Sequence, residues 1–208
     1  MRLDETRTPR SRGLASLAEA ERFFMGESRV QRAAVDLAAA LDEAGIPYAI
    51  AGAMAVLLHG HQRTTSDVDV LLTEDGLKRF KERWLGRGWV ERYPGSKNMR
   101  DVRNGVKIDV LLTGAYPGDG LPKPVRFPDP EDASIAIGDL QTVDLTHLIE
   151  LKLASGMTAP DRPRDFDDVI QLVRVNGLAE DFSINLNQWV RPKFSELWQY
   201  AQRPTDDY

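Results

Sequence analysis

Cysteine is absent from the 208-residue chain, which excludes disulfides, thiolate nucleophiles and cysteine-ligated zinc. Histidine is almost as scarce. His59, His61 and His147 are the only three, too little material for a histidine-based metal site. No apolar run approaches the roughly 20 residues that a membrane-spanning helix needs. Basic charge is in deficit, with a formal net charge of -5 at pH 7. Proteins that coat nucleic acid carry the opposite excess, although a local basic patch stays compatible with this balance. The opening "MRLDETRTPRSRG" lacks the apolar stretch of a secretory signal, and residues 1–26 read as a flexible arm of a cytoplasmic protein.

What is present is ordinary for a soluble globular protein: 42% apolar and 28% charged residues. The length suits one domain, or one domain with a helical appendage. Val30, Ala34, Leu37 and Leu41 recur at helical spacing ahead of Gly45. "IPYAIAG" then predicts a short buried strand, "AMAVLLHG" a short apolar helix closed by Gly60, and "DVDVLLT" a second strand. Leu77, Phe80, Trp84 and Leu85 mark a further helix over 74–88. "WVERY" and "NMRDVR" read as strands, and Asn104-Gly105 is a strong hairpin turn leading into "VKIDVLL". The Gly/Pro-rich stretch 114–132 predicts a loop. After it, "DLTHLIELKLASG" and "PRDFDDVIQLVRVNG" predict helices ending at Gly156 and Gly177, with a last helix in "RPKFSELWQYAQ". The pattern predicts an α+β fold, a mixed β-sheet with flanking helices over 27–132 followed by a helical C-terminal region over 133–208.

Chemistry concentrates in a few residues. Asp67 and Asp69 lie two apart in a strand and so share one face, while Val68 and Val70 take the other. Like charges so close repel, and each resists ionising beside the other. Asp109 sits in a second strand with the same aliphatic setting. Three such carboxylates suit a hard divalent cation such as magnesium, or a pair of ions that clamp the two oxygens of a phosphoryl transfer. For a lone D-x-D the competing reading is a pair of strand-end spacers that discourage edge pairing. Gly52 falls at a strand-to-helix junction, where free backbone N–H groups suit a phosphate. Arg63, Thr64, Thr65 and Ser66 fill the loop before the aspartates; Arg63 suits phosphate oxygens, or else pairs with Asp67 or Asp69. Lys152 interrupts an apolar helix, and Asp165 and Asp168 share a face of the next one. A structural Lys152–Asp165 bridge and a phosphate contact remain equal readings. Lys78, Arg79, Lys81, Arg83 and Arg87 form either a solvated helix face or a basic rim.

Taken together, Gly52-Ala53, Asp67-Val68-Asp69 and Asp109 resemble the Gly-Ser, D-x-D and third-Asp signature of the nucleotidyltransferase superfamily, with its polymerase-beta-like fold. More narrowly, "GAMAVLLHGHQRTTSDVDVLL", "DLTHLIELKLASG" and "RPRDFDDVIQL" resemble small bacterial nucleotidyltransferase-like proteins related to the toxins of abortive-infection toxin–antitoxin systems. The resemblance spans roughly residues 46–173. It implies that Asp67, Asp69 and Asp109 are catalytic and hold magnesium, one ion or two, with manganese able to substitute. It further implies that Lys152 is catalytic, and that Gly52, Ala53, Arg63, Thr64, Thr65 and Asp165 bind the nucleotide. The implied reaction moves a nucleoside monophosphate from an NTP, such as ATP, to a hydroxyl of RNA (tRNA among them), protein or a small molecule. The implied partner is an antitoxin protein; a homodimer is the default expectation because symmetric dimers are common, and the lack of a long apolar run predicts no membrane partner. Ala53 departs from the family's Gly-Gly or Gly-Ser and removes a hydroxyl used on phosphates. That departure leaves room for an alternative: a catalytically inactive nucleotide-binding or partner-binding module on the same fold.

Overall fold

The computed structural model describes residues 28–204, so the expected arm over 1–26 lies outside the described residues. The first helix, α1 (Arg29–Glu43), begins at a capping box in which the Ser28 side chain accepts from the Gln31 N–H and Gln31 accepts from the Ser28 N–H. Strand β1 (Ala49–Ala51), helix α2 (Gly52–Leu58), strand β2 (Asp67–Leu72) and helix α3 (Glu74–Trp84) follow in the expected order. Strands β3 (Trp89–Glu91), β4 (Met99–Asp101) and β5 (Val106–Leu112) come next. The Asn104-Gly105 turn joins β4 to β5 with Asp101 opposite Val106 and Met99 opposite Ile108. A single turn, α4 (Pro130–Ala133), leads to β6 (Ser134–Ile137) and β7 (Leu140–Val143). Helices α5 (Leu145–Thr158), α6 (Arg164–Asn176) and α7 (Arg191–Ala201) complete the chain, with a 3-10 turn over Glu180–Asn185.

The seven strands form one mixed sheet in the order β3-β4-β5-β2-β1-β7-β6. Both faces are covered, and the alternation along β2 shows how. Val68, Val70 and Leu72 pack with α1 and α3 in one apolar cluster, whereas Leu71 joins Ala49, Ala51 and the helices α5, α6 and α7 in the other. Asp67 and Asp69 therefore share the face of the C-terminal helices, and β2 is charged at its start only on that side. The two clusters give the sheet its three layers, helices on either side of a single-sheet core.

Two expectations are revised. The β6–β7 hairpin falls in the region read as helical, and β7 lies parallel to β1 with Ile50 opposite Thr142. Its strands are only four residues each, too short to show a period. The Gly138-Asp139 pair between them is nonetheless a two-residue hairpin signal. Gly156 does not end α5, which runs on to Thr158. A Cβ at Gly156 would stand 2.7 Å from the Phe166 ring, so this glycine serves close packing of α5 on α6. Gly177 is the left-handed cap of α6 as expected.

Candidate active site

Strands β2 and β5 are parallel neighbours, with Asp69 directly opposite Asp109 and Asp67 opposite Lys107. This register brings all three expected carboxylates to one patch of sheet. Asp67 accepts a 2.7 Å hydrogen bond from the Thr65 hydroxyl, so the loop before β2 orients its first carboxylate. Asp69 sits against the start of α2. Gly52 has φ +59°, and a Cβ there would fall 1.9 Å from Asp69 Oδ2. The glycine is thus required twice, for its backbone angle and for the space the carboxylate fills. Asp109 is ion-paired with Lys107, while its Oδ1 is buried without a partner.

The electrostatics of this patch are unresolved. Burial first, then the charges of Asp67 and Asp109, push the Asp69 carboxyl up to about 6, against the opposing pull of Lys152 and Arg162. Among the described residues no group of three or more His, Cys, Asp or Glu side chains is arranged to hold a metal ion by itself.

The facing wall is built by α5 and α6. Lys152, 8% exposed, donates to Asp165 Oδ1 at 2.7 Å and lies 2.7 Å from Asp168 Oδ2. Arg63, from the loop before β2, closes the network by pairing with Asp168. Arg63 thus pairs across the domain, not with Asp67 or Asp69 as the local reading had it. Burial lowers the basicity of both Lys152 and Arg63, and the neighbouring aspartates act against that.

Between the walls lies a cavity of about 540 Å³. Every residue singled out from the sequence as catalytic, metal-binding or nucleotide-binding lines it except Thr64. Thr64 lines a smaller recess of about 340 Å³ behind Arg63, together with His61 and Asp167. The basic residues of α3 are absent from both. Lys81 pairs with Glu91, Arg83 with Glu43, and Arg79 donates to the Ala44 carbonyl, so the helix face is structural.

Sequence reasoning missed Lys107, Ser155, Arg162 and Arg164, all on the cavity wall. Lys107 was legible in principle, because it lies two residues before Asp109 in a strand and must share its face. Ser155 follows Lys152 by three residues and shares its helical face. Arg162 and Arg164 reach the cavity only because of how α6 docks, which no local pattern encodes.

The chain is similar to known proteins in shape. The crystal structure of ANT(2'')-Ia, in complex with adenylyl-2''-tobramycin, superposes with a TM-score of 0.50 at 15% identity over 78% of this chain and 93% of that one. An antigenic nucleotidyltransferase-like protein from Paracoccidioides brasiliensis gives 0.49 at 16% identity, covering 82% and 92%. JHP933 from Helicobacter pylori gives 0.44 at 15%, covering 80% and 88%. No protein-family model and no curated protein matches the chain. The mixed seven-stranded sheet with its flanking helices is the α+β fold of the nucleotidyltransferase-like structures.

Proposed function

We propose that the chain is a divalent-metal-dependent nucleotidyltransferase that moves a nucleoside monophosphate from an NTP to a hydroxyl acceptor. One observation carries this reading. Three carboxylates converge from two parallel strands in register, against a glycine whose missing Cβ is the space Asp69 occupies. A strand-edge spacer needs no such third carboxylate and no such cradle.

The donor set fits a hard cation. Asp109 Oδ1 is a buried acceptor with nothing to accept from, and Asp69 holds its proton unusually tightly because burial and the charges of Asp67 and Asp109 outweigh the pull of Lys152 and Arg162. Asp67, Asp69 and Asp109 would hold magnesium or manganese, one ion or two, in sites completed by the substrate's phosphates. The bound cation would offset charge developing on the phosphoryl oxygens.

The chain's own groups do the rest. N–H groups around Gly52-Ala53 and the Arg63 guanidinium would bind phosphate oxygens. Lys152, fixed by Asp165 and Asp168, would hold the α-phosphate against the carboxylate wall. The acceptor oxygen bonds to the α-phosphorus, the bond to the β-phosphate oxygen breaks, and pyrophosphate leaves. The Asp109 carboxylate would take the acceptor's proton.

Acceptor classes divide by size and charge. ANT(2'')-Ia holds adenylyl-2''-tobramycin, so small hydroxylated molecules belong in the first panel. RNA, tRNA included, and protein belong in the second. A toxin role with an antitoxin partner rests on the sequence resemblance alone, and a homodimer on how common symmetric dimers are. The inactive-module reading has its own support in Ala53, which offers phosphate no hydroxyl, and in the Lys107–Asp109 pair, which occupies the third carboxylate.

Calorimetric titration with each NTP, with and without magnesium, tests the proposal on wild type and on the Asp67→Ala/Asp69→Ala double variant. Magnesium-dependent binding that disappears in the double variant is expected, with pyrophosphate release once an acceptor is supplied. Binding without release for any acceptor in the panel would favour the inactive module. A folded wild type that neither binds NTP nor releases pyrophosphate overturns nucleotidyl transfer and leaves the partner-binding module.

A further inference from the structure

The cavity wall has a charged half and an apolar half, which meet along α5, where Lys152 stands between Leu148 and Ser155. The charged half is made by the carboxylates, Arg63 and Lys152, and the apolar half by Leu111, Pro117, Phe127, Leu148 and Leu151. Leu111 lies two residues beyond Asp109 on β5 and shares its face, so the apolar half begins where the carboxylates end. Its walls are firmly held. Leu148 is 1% exposed, and Phe127 is tied to the end of β5 by backbone hydrogen bonds with Gly114 (2.8 Å) and Ala115 (2.9 Å).

One polar side chain stands in this half. Ser155 lines the cavity from α5, is 4% exposed, and its Oγ is buried without a hydrogen-bond partner. Helical serines and threonines commonly return the hydroxyl to the carbonyl four residues back. Thr158 does so, donating to Ala154 at 2.8 Å; Ser155 does not. A buried hydroxyl left without a partner is costly, and in a native structure it marks a place where a water or ligand completes the site.

We infer that the apolar half of the wall receives the nucleobase of the NTP, with Ser155 Oγ hydrogen-bonding the base edge and Phe127 and Leu151 covering the ring. The inference rests on the nucleotidyl-transfer reading and adds to it the orientation of the substrate. A flat, mainly uncharged ring with polar edge atoms matches apolar walls that carry one hydroxyl. The spacing agrees. Ser155 lies three residues, roughly 4.5 Å of helical rise, along α5 from Lys152, leaving room for a ribose between a phosphate at Lys152 and a ring at Ser155. A serine hydroxyl both donates and accepts, so it serves adenine and guanine alike, and larger purine rings bury more of the apolar wall than pyrimidines.

The test compares magnesium complexes of ATP, GTP, CTP, UTP and inorganic triphosphate by calorimetry, on wild type, Ser155→Ala and Phe127→Leu. Wild type is expected to bind purine NTPs tighter than pyrimidine NTPs, and both tighter than triphosphate. Ser155→Ala should weaken NTP binding about fivefold, the effect of one hydrogen bond, with triphosphate unchanged. Phe127→Leu should narrow the purine preference. The inference is overturned, with the transfer reading intact, if NTPs bind no tighter than triphosphate. It is overturned equally if Ser155→Ala leaves NTP affinity unchanged or weakens NTP and triphosphate alike. Failure of folded wild type to bind NTPs and triphosphate at all overturns the transfer reading and this inference together.

Discussion

The two walls of the cavity treat charge in opposite ways. On the helical wall, cation and anion alternate: Arg63, Asp168, Lys152 and Asp165 form a chain in which each group has an opposite neighbour. On the sheet wall, Asp67, Asp69 and Asp109 stand together with only Lys107 as a paired cation, and Asp69 bears the cost as a raised carboxyl. The first arrangement stabilises the fold by satisfying buried charge. The second is held in place by strands whose other face is core, and it keeps an electrostatic demand that the protein alone does not meet. The contrast distinguishes a structural network from a binding site more sharply than residue type does, since both walls are built of aspartates and cations.

The largest expected effect breaks the satisfied wall. Asp168 is 1% exposed with two cationic partners, so Asp168→Ala should lower unfolding stability by about 3–5 kcal/mol, the usual cost of leaving buried charge uncompensated. Urea denaturation measures it, and a loss below about 1 kcal/mol would show that the network is not structural.

The unsatisfied wall predicts the opposite sign. The Asp69 carboxyl is raised from 3.8 to about 6 in the folded chain, so folding favours its protonated form. The ionised carboxylate therefore costs nothing below about pH 4, and its cost grows as pH rises through the window between those values. Asp69→Asn should stabilise the metal-free protein by up to about 3 kcal/mol at pH 8, with the gain shrinking toward pH 4. Thermal unfolding in chelator across that range reads it. A gain independent of pH would mean that side-chain shape, not charge, is responsible.

The junction between the walls gives the smallest effect. Gly52→Ala forces a left-handed angle on alanine, about 1–2 kcal/mol, and drives its Cβ into the Asp69 carboxylate. A lowered melting temperature is expected, with less loss in an Asp69→Ala background where the clash is relieved. Equal losses in both backgrounds would assign the whole effect to the backbone angle.

Much of this wall was legible before any coordinates. Alternation in "DVDVLL" assigns Asp67 and Asp69 to one face and the valines to the other, and Asn104-Gly105 announces the hairpin that delivers Asp109. Four-residue strands such as β6 and β7 carry too few side chains for a period, so their place in the sheet was not. Gly156 misled because a glycine at a helix end and a glycine at a helix crossing look alike in sequence; the Phe166 ring that decides between them is ten residues away in the chain.

The sequence by itself determined which residues are chemically able: paired acids in a strand, a glycine before a short helix, a lysine in an apolar helix. Local periodicity dictates these, because a side chain's direction follows from the backbone it sits on. Only the tertiary structure decided their partners. Register between β2 and β5 set Asp69 opposite Asp109, docking of α5 and α6 gave Arg63 to Asp168 instead of to its neighbours in sequence, and the same docking set the Lys152–Ser155 face of α5 on the cavity shared with the carboxylates. Those relations depend on packing between elements distant in the chain, and no local pattern specifies them.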